Sequence, residues 1–122
     1  MTAGRGLIVL AALTGFSGVL LAAIGAHAVP AVDEVANYRS WQSASLLHLL
    51  HAAVLLTLGM HVQRHPSRVL LAAATLMLLG VVLFSGSIYA GILLDLESTF
   101  DLAPVGGIAL MLGWLLIPFG LP

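Results

Sequence analysis

This chain of 122 residues has few charged side chains, since Lys, Arg, Asp and Glu together make up 7% of it. Soluble domains carry about 25% charged residues, because charged side chains cover the surface that faces water. A chain this poor in charge, with 61% hydrophobic residues, predicts that lipid is its main solvent. The same scarcity of Lys and Arg argues against nucleic acid as a partner, since nucleic-acid binding needs a basic surface.

Cysteine is absent altogether, which excludes disulfides, thiolate metal ligands and cysteine nucleophiles. The sequence also lacks a Gly-rich phosphate loop, a metalloprotease helix pattern and a nucleophile elbow. We therefore predict no catalytic residue, no metal site and no cofactor. Without a composition break or a long linker, residues 1–122 are expected to form a single integral membrane domain that is not an enzyme.

Long apolar segments are what the chain does contain. Four of them stand out, at residues 6–28, 44–62, 69–94 and 104–120. A membrane-spanning helix needs roughly 17–25 predominantly apolar residues, and short polar stretches connect the four segments. The sequence thus predicts an all-α membrane protein, a four-transmembrane-helix antiparallel bundle.

The polar stretch after the first segment has features of a short interfacial helix. Pro30 suits the first turn of a helix, and Asp33 and Glu34 would then lie near its positive end. Tyr38 and Trp41 would lie at the headgroup level, where aromatic side chains are enriched. The loop is therefore expected to be either an interfacial helix or an irregular connection. Trp114, in the last segment, is expected at the opposite interface.

Arginine is distributed unevenly between the two ends of the predicted bundle. If the segments alternate in direction, Arg5, Arg64 and Arg68 share one side with both chain termini, and Arg39 lies on the other. Cytoplasmic loops carry an excess of Lys and Arg. The sequence therefore predicts a multi-pass protein with both termini in the cytoplasm.

Small residues recur within the apolar segments. Lipid tails are as apolar as leucine, so helices associate in a membrane through close backbone packing and interhelical hydrogen bonds. The candidate packing positions are Gly15, Gly18, Ala22, Gly86, Gly106, Gly107 and Gly113. They serve either packing within one bundle or contact with a second copy.

Polar side chains inside the apolar segments are the candidate site. Given alternating helices, six of them fall in the outer half of the bundle: His27, His48, His51, Ser85, Ser87 and Tyr89. Ionisable residues within spans usually face the interior and mark functional sites. A neutral histidine donates one hydrogen bond and accepts another, so hydroxyl groups are suitable partners. The cluster is either a set of hydrogen bonds between helices or a site for a lipid or small molecule.

Three hypotheses follow for function. The first is a non-enzymatic structural, accessory or lipid-binding protein that self-associates or joins a larger membrane complex, with membrane lipids as partners. The second is a haem- or metal-binding redox subunit that uses His27 with His51 or His48 as ligands. The third is an oligomeric pore or small transporter, since histidine titrates near neutrality.

Four motifs also resemble those of a known family. They are "GAHAV" (25–29), "WQSASLLHLLHAAVLL" (41–56), "LFSGSIYAG" (83–91) and "PVGGIALMLGW" (104–114). Together they resemble the small bacterial inner-membrane proteins of the YgdD type, the domain of unknown function family four-two-three. His51 matches the family pattern and His48 does not, which weakens a site built on three histidine ligands. The resemblance implies a four-span protein of the bacterial inner membrane and carries over no catalytic residue.

Overall fold

The computed structural model describes residues 1–27 and 34–122. Its α-helices are α1 (Ala3–His27), α2 (Val35–Arg64), α3 (Arg68–Val81), α4 (Ser87–Leu93) and α5 (Ala103–Gly120). A π-helical stretch, Val82–Gly86, joins α3 to α4 without a break, and a 3-10 helix, Glu97–Leu102, leads into α5.

Within the described residues, four helices are long and apolar enough to cross a membrane. They cover Ala3–His27, Val35–Arg64, Arg68–Leu93 and Glu97–Gly120. The predicted four spans are therefore confirmed, with bounds that differ from the apolar segments by a few residues at most ends. The chain is an all-α, multi-pass membrane protein.

Helices α1 and α2 pack against each other in antiparallel directions. A side chain added at Gly4, near the start of α1, would meet the backbone of Gln63 near the end of α2. Further along, a side chain at Gly18 would collide with Leu49. Later residues of α1 therefore contact earlier residues of α2, as in an antiparallel pair. Because glycine has no Cβ atom, the two helices approach closely at these positions.

Helices α3 and α5 form a second antiparallel pair. A Cβ atom at Gly80 would lie 2.9 Å from the Gly106 carbonyl oxygen, and one at Gly120 would lie 2.7 Å from the Leu70 side chain. Helix α2 also contacts α3, the π-helical stretch and α4. The two pairs thus join into one four-helix arrangement.

Both chain termini lie at one end of this arrangement, here called the inner end. The Ser67 hydroxyl, between α2 and α3, donates to the Gly120 carbonyl oxygen at 3.1 Å and accepts from the Leu70 N–H at 3.2 Å. It therefore caps the start of α3 and ties it to the end of α5. The opposite end, where α1 and α4 finish, is called the outer end.

Helix α2 is longer than the second apolar segment. It begins at Val35 and continues unbroken to Arg64, so residues 35–43 belong to this helix and are not a separate interfacial element. The reason is that no proline interrupts the stretch and most of its residues are compatible with a helix. Pro30 and Asp33, on which the predicted short helix depended, lie outside the described residues.

The apolar core has two parts separated by buried polar residues. Nearer the inner end it is built around Leu55, Leu70 and Met77, all fully buried. Nearer the outer end it is built around Trp41 and Tyr89, with Ala44, Ile88 and Ile92. The polar side chains buried between and beside these clusters form the candidate site.

Candidate functional site

Four polar side chains from three helices form a connected chain of hydrogen bonds, called the polar network. His48 is 6% exposed, with its Nε2 atom 3.1 Å from Ser17 Oγ and its Nδ1 atom 3.1 Å from the Tyr89 hydroxyl oxygen. That hydroxyl oxygen is also 3.5 Å from Ser45 Oγ. The polar network, made of Ser17, Ser45, His48 and Tyr89, therefore links α1, α2 and α4.

Close packing of α1 on α2 brings Ser17 to His48. A Cβ atom at the neighbouring Gly18 would lie 2.8 Å from Leu49 and 3.3 Å from the His48 ring. Ser45 and His48 are three residues apart on α2, and both approach the Tyr89 hydroxyl oxygen of α4, at 3.5 and 3.1 Å.

An aromatic pair holds Tyr89 in position. The ring centroids of Trp41 and Tyr89 are 4.8 Å apart, and the planes are tilted by 57°, a favourable arrangement for two aromatic rings. The Trp41 indole N–H donates to the Leu21 carbonyl oxygen at 2.9 Å. Trp41 therefore ties α2 to α1 while its ring supports the phenol of α4.

His51 belongs to a separate contact, between α2 and α5. Its Nδ1–H donates to the Leu47 carbonyl oxygen at 2.7 Å, and its Nε2 atom accepts from the Trp114 indole N–H at 3.0 Å. A carbonyl oxygen only accepts and an indole N–H only donates. These two partners therefore fix the ring as neutral, with its proton on Nδ1.

His48 and His51, three residues apart on α2, contact different helices. His48 contacts α1 and α4, whereas His51, 2% exposed, contacts α5. On a helix with 3.6 residues per turn, the side chains of two residues three positions apart differ in direction by about 60° around the axis. In a bundle this angle is enough to direct them to different neighbours.

The remaining expected site residues lie apart from the polar network. Ser85 Oγ donates to the Ala44 carbonyl oxygen at 2.7 Å, and Ser87 Oγ donates to the Phe84 carbonyl oxygen at 2.9 Å. His27 is exposed in the last turn of α1. Of the six residues, the structure therefore joins only His48 and Tyr89 through their side chains.

The observed contacts give little support to a haem or metal site with histidine ligands. Both ring nitrogens of His48 and both of His51 have hydrogen-bonding partners. Across residues 1–27 and 34–122, no three His, Asp or Glu side chains lie close enough together to hold a metal ion. His27 lies at the outer end of α1, whereas His51 pairs with α5 deeper in the bundle.

A groove of about 560 Å³ opens between α1 and the segment that runs from α3 to α4. Its floor includes Ser17, His48 and Tyr89 of the polar network. Its apolar walls include Leu10, Leu13, Phe16, Leu78, Val81 and Val82. Among residues 1–27 and 34–122, no charged side chain lines the groove, which therefore offers neutral hydrogen-bonding atoms at the base of an apolar cleft.

A second cavity, of about 700 Å³, lies between α1 and the start of α2 near the outer end. Arg39, Tyr38 and Gln42 line it, and Ser45 reaches it from the polar network. We call it the outer pocket. The polar network therefore extends from the outer pocket to the groove.

The expected packing positions differ in how closely a neighbouring helix approaches. A Cβ atom at Gly18, Gly106 or Gly113 would collide with atoms of another helix. At Gly15 and Gly107 the nearest atom would be 3.7 and 3.9 Å away, an ordinary contact. Three of these five glycines thus coincide with close helix approach.

Gly86 and Ala22 lie beside cavities. A Cβ atom at Gly86 would meet no heavy atom within 4 Å in the described part of the chain, because this residue borders the groove. Ala22 is half-buried and lines the outer pocket. The expectation of a tight helix contact at Gly86 is not met, since the neighbouring helix α1 is separated from it by the groove.

Several residues of the site were missed by reasoning from sequence. Ser17 and Ser45 were not singled out, although Ser17 adjoins a packing glycine and Ser45 lies one turn before His48. Trp114 was expected at the membrane interface, yet its indole N–H contacts His51. Ser17 is a short polar residue next to a predicted packing glycine, Gly18, and this pattern in the sequence could have indicated it.

The chain is similar to proteins of one family. A family model described as "Protein of unknown function (DUF423)" matches residues 21–107. The UPF0382 inner membrane protein YgdD of Escherichia coli (strain K12) is 32% identical over 116 residues, which cover 95% of this chain and 88% of that protein. The UPF0382 membrane protein SSP2132 of Staphylococcus saprophyticus is 28% identical over 113 residues, 93% of each chain. No solved structure matches.

Proposed function

Since the chain belongs to the DUF423 family, among whose relatives are proteins named as membrane proteins, we propose that it is a non-enzymatic protein of the bacterial inner membrane that binds an uncharged amphiphile. The ligand class is a molecule with a long apolar tail and a hydroxyl or carbonyl headgroup. Its place is the groove between α1 and the α3–α4 segment. The ligand's headgroup contacts the polar network and its tail lies along the apolar walls.

The observation that carries this proposal is the combination of neutral polar atoms and apolar walls in one groove. Bulk lipid solvates an apolar tail as well as leucine does, so the walls alone give little selectivity. A hydrogen bond within a membrane contributes roughly 1–2 kcal/mol in model peptides, so the atoms of Ser17, His48 and Tyr89 supply the preference. A phosphate headgroup would find no Lys or Arg among the described residues that line this groove.

Photolabelling with a diazirine-bearing long-chain alcohol tests the proposal in lipid vesicles. Gly86→Trp places a large side chain in the groove, where a Cβ atom meets no neighbour within 4 Å. We expect wild-type labelling to concentrate on residues that line the groove. We expect Gly86→Trp to lose that labelling and Gly86→Ala to keep it.

The matched control is Leu79→Trp, which adds the same side chain at a lipid-facing position that is 52% exposed and outside the groove. It should leave the groove labelling unchanged. Labelling spread evenly over all lipid-facing helices, and equal in the two tryptophan variants, would show that the groove has no preference for the alcohol. A phosphatidylglycerol carrying the same diazirine tests the charge argument and should label the groove less.

Self-association, or membership of a larger membrane complex, is part of the same proposal. The first and last spans have the smallest buried shares of the four, and their exposed side chains include Phe16, Leu115 and Phe119. Such faces are covered either by lipid or by another helix. Native mass spectrometry from lipid nanodiscs counts the copies, and a single copy without a partner protein would reject this part.

The redox-subunit and pore hypotheses have weaker support. A haem or metal ion bound by His48 or His51 would have to displace a hydrogen-bonding partner from a ring nitrogen. A pore along the axis of a single bundle would have to replace the packed core around Leu55, Leu70 and Met77. An absorption spectrum and metal analysis of gently purified protein test the first of these alternatives.

A further inference from the structure

The polar network connects two separate cavities, which the amphiphile-binding proposal leaves unexplained. Ser45 lines the outer pocket, and Ser17 lines the groove. His48 lies between them, 6% exposed, with both ring nitrogens directed at hydroxyl groups.

Each member of the polar network both donates and accepts a hydrogen bond, so the donors can run in either direction. In one arrangement Ser45 donates to Tyr89, which donates to His48 Nδ1. The Nε2–H of His48 then donates to Ser17, whose hydroxyl donates to the Thr14 carbonyl oxygen at 3.1 Å. In the other arrangement Ser17 donates to His48 Nε2, the His48 proton is on Nδ1 and is donated to Tyr89, and Tyr89 donates to Ser45.

We propose that the polar network is a proton path between the outer pocket and the groove. A proton from water in the outer pocket joins the Ser45 oxygen as Ser45 releases its own proton to Tyr89. Tyr89 then releases its proton to His48 Nδ1, and Nε2 releases its proton to Ser17. Ser17 turns its own O–H from the Thr14 carbonyl oxygen towards the groove and passes that proton to an oxygen acceptor there. One proton enters and one leaves, and the network ends in the reversed arrangement.

His51 provides an internal control for this path. Its partners are a backbone carbonyl oxygen, which only accepts, and an indole N–H, which only donates. The His51 ring therefore has a single arrangement and no connected hydroxyl chain to a cavity. The two histidines differ in the polarity of their partners, although both are buried within one turn of α2.

Exchange of the histidine ring protons with deuterated water tests the path in protein reconstituted in bilayers. Solid-state NMR of ¹⁵N-histidine resolves the two rings, assigned with His48→Gln and His51→Gln. We expect the His48 ring proton to exchange much faster than that of His51, and both His48 tautomers to be populated. Ser45→Ala removes the entry step and should slow the His48 exchange about tenfold or more, which corresponds to about 1.4 kcal/mol of barrier.

Further variants separate the path from a general loosening of the bundle. Tyr89→Phe should slow His48 exchange as Ser45→Ala does, and Ser45→Ala carries the test if Tyr89→Phe does not fold. Ser17→Ala, on the groove side, should leave exchange from the outer pocket unchanged. A His48 proton that exchanges as slowly as that of His51, or that is unaffected by Ser45→Ala, would overturn the path. Slowing by Ser17→Ala alone would also overturn it, because protons would then enter from the groove.

None of these measurements requires an amphiphile in the groove. If photolabelling fails but the His48 proton exchanges fast and this exchange depends on Ser45, the amphiphile proposal is rejected and the proton path is supported. If the groove is labelled specifically but the His48 proton exchanges slowly, the proton path is rejected and the amphiphile proposal is supported.

Discussion

At the scale of single residues, His51 and Trp114 form the contact whose removal should cost most. The His51 ring is 2% exposed and joins the Leu47 carbonyl oxygen to the Trp114 indole N–H. In a membrane an indole N–H that loses its acceptor finds no water to replace it. The loss therefore combines unmade hydrogen bonds with a cavity next to α5.

We expect His51→Ala to lower the free energy of unfolding by about 2–4 kcal/mol, the range for deleting a large buried side chain with its hydrogen bonds. The measurement is unfolding by sodium dodecyl sulfate in mixed micelles, followed by circular dichroism. His65→Ala is the control, because His65 is exposed after the end of α2. Equal effects of the two variants would mean that the His51 contacts do not hold α2 to α5.

A double-mutant cycle with Trp114→Phe isolates the side-chain pair. If the Nε2 atom of His51 accepts from Trp114, the two single losses should sum to more than the loss in the double variant. If the losses of stability in the two single variants simply add up in the double variant, the effect of His51→Ala comes from the lost hydrogen bond to Leu47 and from lost packing.

At the scale of elements, the packing of α5 on α3 and the π-helical stretch requires glycine at Gly106 but not at its neighbour Gly107. A Cβ atom at Gly106 would collide with the backbone of Phe84 and Gly80. One residue later, a Cβ atom at Gly107 would have its nearest neighbour at 3.9 Å. Adjacent glycines therefore offer a matched pair in the same turn of α5.

Gly106→Ala should lower the unfolding midpoint in detergent, with a loss of about 1–3 kcal/mol, as for overpacked positions. Gly107→Ala should be neutral or slightly stabilising, because alanine favours the helix by about 1 kcal/mol over glycine. The measurement is thermal unfolding by near-ultraviolet circular dichroism. Similar midpoints for both variants would contradict the close approach of α3 and α5 at Gly106.

Helix boundaries show what local sequence does and does not predict. The apolar segment 69–94 corresponds to the observed span Arg68–Leu93, because an uninterrupted apolar run has no other way to satisfy its backbone in lipid. The π-helical stretch Val82–Gly86 was not predicted. Nothing in the composition of those five residues distinguishes them from α-helix, and such stretches are often found at functional sites.

At the scale of the whole molecule, three arginines lie at the inner end together with both termini. Arg5, Arg64 and Arg68 are all exposed there. The excess of Lys and Arg on cytoplasmic loops therefore predicts that the inner end faces the cytoplasm.

Fusions at the C-terminus test this orientation in a bacterial host. A green fluorescent protein fusion should be fluorescent and an alkaline phosphatase fusion inactive, because the first matures in the cytoplasm and the second requires the periplasm. Changing Arg5, Arg64 and Arg68 together to glutamine should weaken the bias. An active phosphatase fusion on the unaltered chain would place the C-terminus outside.

The sequence by itself determined the solvent and the number of spans of this protein. Low charge and four long apolar segments leave no soluble alternative, because hydrocarbon requires every backbone polar group to be paired within a helix. It also placed His48 and Tyr89 in one predicted polar cluster, and these two side chains are 3.1 Å apart in the structure. The physical basis in each case is local: length, hydropathy and the cost of a polar group in lipid.

Only the tertiary structure decided which polar groups meet. It joined His48 to Ser17, Ser45 and Tyr89, directed His51 to Trp114, and left His27 exposed at the end of α1. Partners of a side chain on a helix depend on its direction about the axis and on the register of the neighbouring helices. Both are set by the close approaches at glycines such as Gly18 and Gly106, because lipid gives no local preference for one register over another.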